Sequence, residues 1–144
     1  MSETESMQIA FVCVQNAGRS QMAYAFARRE LAVRELEDEF TLVMGGTQPA
    51  ECVHPNVVEA MGDIGINISD RQPREVTFDE LQSSEYVITM GCSDADVCPA
   101  GWTGESRDWN LDDPNGRSLT EVAVIRDEIE RRVKELYDEL IREA

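Results

Sequence analysis

Runs of consecutive apolar residues alternate with segments of helical periodicity along this chain. Three runs, residues 8–14 (QIAFVCV), 40–46 (FTLVMGG) and 86–90 (YVITM), are rich in residues that favour strands. Continuous rather than alternating hydrophobicity is typical of strands that are buried on both faces. A shorter stretch, residues 106–111 (SRDWNL), is predicted to form a fourth strand.

Helices are predicted between and after these strands. Apolar residues recur at helical spacing from Ser20 to about Glu35, and Pro55 fits the first turn of a second helix. The sequences TFDE at 77–80 and SLTE at 118–121 are capping-box patterns, which mark the starts of helices. The second of them opens a long amphipathic helix.

The alternation of strands and helices predicts an α/β fold in which helices cover both faces of a parallel sheet. With 144 residues, the chain is expected to form a single domain over residues 1–144. Ligands in such folds bind at the carboxyl ends of the strands. Cys13 lies near the end of the first predicted strand, Cys92 follows the third, and Asp112 and Asp113 follow the fourth. The sequence therefore brings thiols and carboxylates to one edge of the sheet.

The composition adds an unusual charge balance. There are 29 acidic residues against 13 basic ones, a net charge of −16, and the only lysine is Lys134. Such a surface repels nucleic acid and anionic membranes, so neither is expected as a partner. Self-repulsion also destabilises the fold unless salt screens it, and at about 1 M salt the Debye length falls to roughly 3 Å. The composition therefore favours a high-salt, halophilic cytoplasm over an ordinary low-salt one.

The sequence predicts a soluble, cytoplasmic protein. The first residues, MSETESMQ, lack the apolar segment of a signal peptide, and the longest apolar run is too short to cross a membrane. A cytoplasmic chain of this length needs no structural disulfides, and Cys52 is interpreted as a small buried hydrophobic residue. A zinc site would join Cys52, His54, Cys92 and Cys98. The spacings C-x-H and C-x5-C differ from those of zinc ribbons and fingers, so no metal is predicted.

The stretch CVQNAGRS, residues 13–20, joins the first strand to the first helix. If it curls around the helix entry, its N–H groups and the helix N-terminus form an anion-binding concavity. Gly18 would permit a tight turn, and Arg19 would hold two oxygens of a tetrahedral anion through its planar guanidinium. Cys13 would lie at the base, where these groups favour the nucleophilic thiolate. The residues of the concavity would be Val14, Gln15, Asn16, Ala17, Gly18 and Arg19.

From these residues alone, a buried strand cysteine beside a helix-capping turn is an alternative. The extended stretch CVQNAGRSQMA, however, resembles the active-site loop of the low-molecular-weight protein tyrosine phosphatase superfamily, most of all its arsenate reductases. HPNVVEAMGDIGINIS, TMGCSDADVCP, DWNLDDPNG and IRDEIERRV resemble further segments of those reductases. The resemblance implies a three-layer, flavodoxin-like fold with a four-stranded parallel sheet. It also implies reduction of arsenate to arsenite, and no cofactor is predicted.

The resemblance also implies roles for individual residues. Cys13 matches the nucleophile, and residues 14–19 match the cradle for an arsenate or phosphate oxyanion. Arg19 would hold the oxygens, while Ser20 would hydrogen-bond the thiolate. Asp113 matches the general acid, and the aspartate before it is the less favoured acid.

Cys92 and Cys98 match the two redox-relay cysteines of that family. They would accept the oxidation from Cys13 as a disulfide, which thioredoxin would then reduce. The segments VxNAGRSQMA and MGC also resemble reductases that use the small thiol mycothiol, so a small-molecule reductant is an alternative. Two further alternatives are a phosphomonoester hydrolase of the tyrosine phosphatase type and a non-catalytic domain that senses anions or holds zinc. Gln21 after Ser20, where the phosphatases tend to have proline, favours the reductase.

Overall fold

The computed structural model of this protein describes residues 7–91, 102 and 104–143. Its centre is an all-parallel sheet of four strands in the order β2-β1-β3-β4. The strands are β1 (Met7–Cys13), β2 (Phe40–Gly46), β3 (Tyr86–Met90) and β4 (Glu105–Asp108). The predicted parallel α/β architecture is therefore confirmed, and β1, which carries Cys13 at its end, is a central strand.

Four helices complete the described fold, and they begin where the sequence signals predict. They are α1 (Arg19–Arg34), α2 (Pro55–Gly62), α3 (Phe78–Gln82) and α4 (Leu119–Glu143). The side chain of Thr77 accepts from the N–H of Glu80, whose carboxylate accepts from the N–H of Thr77, so the capping box of α3 is complete. Ser118 and Glu121 make the equivalent bonds before α4. No helix in the described ranges is both long and apolar enough to span a membrane.

The two faces of β1 pack into different cores. Ile9, Phe11 and Cys13 belong to a large core shared with α1, α2 and α4. Ala10 and Val12 belong to a smaller core with Leu81 of α3. Successive side chains of a strand point to opposite faces, so burial on both sides accounts for the continuous apolar run. Helices on both faces of the sheet make this the predicted three-layer, flavodoxin-like arrangement.

The fourth strand is shorter than predicted. It was expected over residues 106–111 but ends at Asp108. The indole of Trp109, the next residue, is buried in the large core, with its centroid 6.1 Å from that of the Phe11 ring. The backbone N–H of Trp109 still donates to the carbonyl of Thr89 in β3, at 2.8 Å. The carbonyl of Leu111, at the predicted end of the strand, accepts instead from the side chain of Arg19.

Candidate active site

The loop between β1 and α1 is held from one side by the segment 47–54. Four carbonyl oxygens of the loop region accept hydrogen bonds from backbone N–H groups of that segment, at 2.7–3.2 Å. The accepting residues are Cys13, Val14, Gln15 and Ala17, and the donors are Thr47, Gln48, Ala50 and His54. The loop therefore turns these carbonyls away from its own interior.

The orientation of these carbonyls fixes the direction of the neighbouring amides. In a trans peptide the N–H of one residue points opposite to the carbonyl of the residue before it. The N–H groups of Val14, Gln15, Asn16 and Gly18 therefore point away from the segment 47–54. That of Asn16 donates to Sγ of Cys13 at 3.2 Å. This arrangement has the features of an anion-binding concavity with a sulfur at its base.

The tight turn of the loop lies at Asn16 and not, as expected, at Gly18. Asn16 is fully buried and has a left-handed backbone with φ of 51°, a region that asparagine tolerates better than most residues. Gly18 has φ of −145°, and a Cβ there would lie 2.8 Å from Cγ of Pro114. Glycine is needed at position 18 for space against Pro114, which follows Asp113.

Cys13 and Ser20 are both buried, and Sγ lies 2.8 Å from Oγ. The side-chain Nδ2 of Asn16 donates to the same Oγ at 2.7 Å, so the Ser20 hydroxyl proton is available for the sulfur. The sulfur can thus accept hydrogen bonds from the Asn16 N–H and the Ser20 O–H at the start of α1. The sulfur therefore has two hydrogen-bond donors and lies at the positive end of the α1 dipole.

Arg19, the first residue of α1, extends its guanidinium between the ends of β3 and β4. The side chain is only 11% exposed. Its Nη1 donates to the carbonyl of Leu111 at 3.1 Å, and its Nη2 lies 3.9 Å from Oδ2 of Asp113. Gly91 flanks it from the end of β3, where a Cβ would lie 2.5 Å from Nη1. The guanidinium is therefore confined beside the loop that follows Cys13.

The structure separates the two adjacent aspartates. Asp113 faces Arg19, and its Oδ1 accepts from the N–H of Asn115 at 3.0 Å. Asp112 instead lines a cleft formed with Val124 and other residues of α4. Of the two carboxylates, the structure places Asp113 beside Arg19, and its role as the general acid stays a prediction.

The loop that carries Asp113 is anchored to α2. Nδ2 of Asn56 donates to the carbonyls of Pro114, at 2.9 Å, and of Arg117, at 3.1 Å. Pro114 is buried against Gly18. These contacts fix the distance between the acid-bearing loop and the concavity.

His54 completes one side of the site. Its Cδ2 lies 3.4 Å from the position that a Cβ on Gly18 would occupy. Burial lowers the pKa of His54 below its ordinary value, the negative charge of Asp113 opposes this, and the positive charge of Arg19 adds to it. The imidazole is therefore neutral at neutral pH.

Titration of the single histidine of this chain tests the placement of Asp113. We expect proton NMR to show one imidazole whose pKa is below 6.5, the ordinary value, and Asp113→Asn to lower it further. The reason is that the variant removes the charge that favours the protonated ring. Asp112→Asn serves as the control and leaves the pKa unchanged. A pKa that rises in Asp113→Asn would contradict the placement of this carboxylate.

Gly91→Ala tests the confinement of Arg19. Gly91 has φ of +86°, and the new methyl group would displace the guanidinium. If Arg19 holds an oxyanion, as the resemblance implies, this displacement should raise the KM for that anion about ten- to hundredfold. Gly65→Ala is the matched control, because Gly65 has φ of +84° but nothing within 4 Å of a Cβ. Both variants lose about 1–2 kcal/mol of stability, and an equal KM in both would refute the explanation.

The cysteines other than Cys13 divide into two groups. Cys52 was expected to be buried, but it is exposed, because it lies on the segment 47–54 at the surface. Cys92 and Cys98 lie outside the described residues. Their relay role therefore stays a prediction, and the structure does not test the zinc alternative, which would use them with Cys52 and His54.

Sequence reasoning did not find several residues that shape the site. The role of Gly91 could have been suspected, because a glycine directly follows a buried strand. Asn56 binds a carbonyl 58 residues away, and Gln21 donates to Asn16 from inside α1. No local pattern marks such polar contacts.

Comparison with known proteins places this site in a family. The model of the family described as low molecular weight phosphotyrosine protein phosphatase matches residues 8–144. A Halobacterium salinarum protein assigned as an arsenate reductase is 52% identical over 139 residues, which are 96% of each chain.

Two solved structures show the same likeness. The thioredoxin-dependent arsenate reductase of Corynebacterium glutamicum has a TM-score of 0.78 at 34% identity, covering 99% of this chain and 66% of that one. An arsenate reductase in its phosphate-binding state has a TM-score of 0.77 at 27% identity, covering 92% of this chain and 98% of that one. With a sulfur at the base of the strand-to-helix loop and a family match over nearly the whole sequence, this chain belongs to the low molecular weight phosphotyrosine protein phosphatase family.

Proposed function

We propose that this protein reduces arsenate to arsenite, with Cys13 as the nucleophile. The observation that carries the proposal is the environment of the Cys13 sulfur, which lies 2.8 Å from Oγ of Ser20 and 3.2 Å from the amide nitrogen of Asn16. Two relatives that are named arsenate reductases support the choice of substrate. One is 52% identical over 96% of this chain, and the other is 37% identical over 90% of it. The reaction would take place in the cytoplasm, within one domain that spans residues 1–144.

The substrate in this proposal is a tetrahedral oxyanion. Arsenate and phosphate have similar charge and shape, so the concavity would accept either. The amides of residues 14–19 would donate to its oxygens, and the guanidinium of Arg19 would hold two of them. This local positive region would offset the repulsion that a chain of net charge −16 exerts on any anion.

In the first step, the Cys13 thiolate attacks arsenic and forms a sulfur–arsenic bond. The bond between arsenic and one oxygen breaks, and Asp113 protonates that oxygen, so that it leaves as water. Ser20 would stabilise the thiolate before attack through the hydroxyl proton that Asn16 leaves available. Arsenic is still in its pentavalent state after this step.

In the second step, the thiolate of Cys92 attacks the sulfur of Cys13. A disulfide forms between them, and the sulfur–arsenic bond breaks with both electrons passing to arsenic, which leaves as arsenite. Cys98 then attacks Cys92, restores the Cys13 thiolate and leaves a 92–98 disulfide. A dithiol such as thioredoxin would reduce that disulfide by exchange. Two cysteine thiols supply both electrons, so the proposed reaction uses no bound cofactor or metal.

A phosphomonoester hydrolase is the second candidate, because the family model carries the phosphatase description. In that reaction Cys13 would form a phosphocysteine, which water would hydrolyse, and Cys92 and Cys98 would take no part. A third candidate is a reductase that uses a small thiol in place of the protein relay of Cys92 and Cys98.

Arsenate-dependent oxidation of reductant tests the proposal, with either thioredoxin or small thiols supplied. We expect Cys92→Ser to lose multiple turnover while any weak hydrolysis of aryl phosphates persists, because only reduction needs the relay. Cys52→Ser is the matched control and keeps full turnover. Intact arsenate turnover in Cys92→Ser with thioredoxin alone would exclude the relay, and hydrolysis without arsenate turnover would favour the phosphatase.

We also propose that the protein works in a high-salt cytoplasm. The support is its composition, with 29 acidic residues, 13 basic ones and one lysine. Screening of the self-repulsion should raise the Tm by about 10 °C or more between 0.1 and 2 M KCl, and turnover should rise in parallel. A Tm that falls or stays constant over this range would refute this environment.

A further inference from the structure

Gln21 makes contacts from within α1 that the proposed reaction does not explain. It is fully buried, and its Nε2 donates to the backbone carbonyl of Asn16 at 3.0 Å. The same nitrogen lies 3.3 Å from Oδ1 of Asn16 and 3.4 Å from the carbonyl of Gln72. Three acceptors around one nitrogen fix the orientation of this amide group.

The carbonyl of Asn16 needs such a donor because of the shape of the loop. The carbonyls of Cys13, Val14, Gln15 and Ala17 all bond to backbone N–H groups of the segment 47–54. At Asn16 the backbone is left-handed, and its carbonyl bonds instead to Gln21. The same Gln21 nitrogen contacts Oδ1 of Asn16, and the other end of that side-chain amide, Nδ2, donates to Oγ of Ser20 beside the sulfur. Gln21 therefore holds both the carbonyl and the side chain of Asn16 in this left-handed conformation.

The oxygen of the Gln21 side-chain amide, Oε1, is in an unfavourable environment. Within the part of the chain that the structure describes, its Oε1 is buried and has no hydrogen-bond partner. An unsatisfied buried oxygen is unfavourable, and each such group in a native protein requires an explanation. Methionine would fill nearly the same space without that oxygen, so the donor group must account for glutamine at this position.

We propose that Gln21 is a positioning residue: by holding the carbonyl and Oδ1 of Asn16, it keeps Nδ2 of Asn16 on Oγ of Ser20, so that the serine hydroxyl stays directed at Sγ of Cys13 and favours the reactive thiolate. The effect on turnover rests on the proposed role of Cys13. The effect on the sulfur itself does not, so an assay of thiol reactivity distinguishes failure of this inference from failure of the proposed function.

Iodoacetamide alkylation of Cys13 as a function of pH, followed by mass spectrometry of the Cys13 peptide, tests the inference. In Gln21→Met we expect the midpoint of the pH profile to move upward by about half to one unit, the value of one hydrogen bond to the sulfur. Arg19, His54, Arg74 and Asp113, the charged or titratable groups around the loop, are the same in both proteins. Gln82→Met, the same change at an exposed glutamine of α3, should leave the midpoint where it is.

The rate at high pH separates positioning from loosening of the fold. A less stabilised thiolate is slightly more nucleophilic. If Gln21 only positions Asn16, the alkylation rate at the high-pH plateau should therefore rise by no more than about twofold in Gln21→Met. An unchanged midpoint in Gln21→Met overturns the inference, as does a plateau rate raised more than about fivefold, which would show an opened site.

Discussion

Cys13→Ser should reduce arsenate turnover by at least about four orders of magnitude, in line with the loss of other enzyme nucleophiles. The serine hydroxyl stays protonated in the same surroundings, and oxygen cannot form the disulfide that carries the electrons away. Cys13 is 2% exposed, and serine fits its space, so the fold should persist. Coupled oxidation of reductant measures the loss, and circular dichroism checks the fold.

The binding of anions separates loss of chemistry from loss of the site. The amides of residues 14–19 and Arg19 are unchanged in Cys13→Ser, so titration calorimetry should show phosphate binding no weaker than in wild type. Cys52→Ser makes the same chemical change at an exposed cysteine and should keep turnover within about twofold. Residual turnover above about one part in a hundred in Cys13→Ser would assign the nucleophile to another residue.

Much of the fold follows from local signals in the sequence. Residues 40–46 and 86–90 were predicted as strands with the bounds that the structure has, because apolar runs buried on both faces leave little ambiguity. The capping box at Thr77 also fixed the start of α3, since both of its hydrogen bonds are local. The fourth strand was predicted too long because Trp109 and Leu111, which follow its last residue, are apolar for their packing against the large core.

The candidate site was predictable only as far as strand ends and a motif could define it. Cys13, Arg19 and Ser20 are close in sequence, and a strand-to-helix loop necessarily keeps them close in space. The left-handed turn depends on Asn16, which is held by Gln21 and by the N–H of Arg74, 58 residues away. Polar contacts of this kind produce no periodic pattern in the sequence. The prediction that the loop turns at Gly18 was therefore wrong.

The sequence alone also could not show which of the adjacent residues Asp112 and Asp113 reaches the site. Composition and spacing do not distinguish adjacent aspartates, and only the resemblance favoured the second. The structure adds a physical reason, since Pro114 packs on Gly18 and Asn56 holds the Pro114 carbonyl. These contacts direct Asp113 towards Arg19 and leave its neighbour beside α4.

Asp113→Asn should therefore slow formation of the Cys13 adduct by about a hundredfold to ten-thousandfold, the usual contribution of a general acid. The asparagine oxygen can still accept from the N–H of Asn115, so the loop should keep its shape. Its amide cannot deliver a proton to the leaving oxygen. Single-turnover kinetics with arsenate, in which each enzyme reacts once, measures this step without the relay or the reductant.

Asp112→Asn is the matched control, because it removes the same charge one residue away. Its single-turnover rate should stay within about threefold of wild type, since this carboxylate lines the cleft beside α4 rather than the concavity. If Asp112→Asn were the slow variant, the leaving oxygen would have to face α4, and the contact between Asp113 and Arg19 would then serve only to hold the loop. Equal slowing by both variants would indicate that the charge of the loop, and not proton transfer, sets the rate.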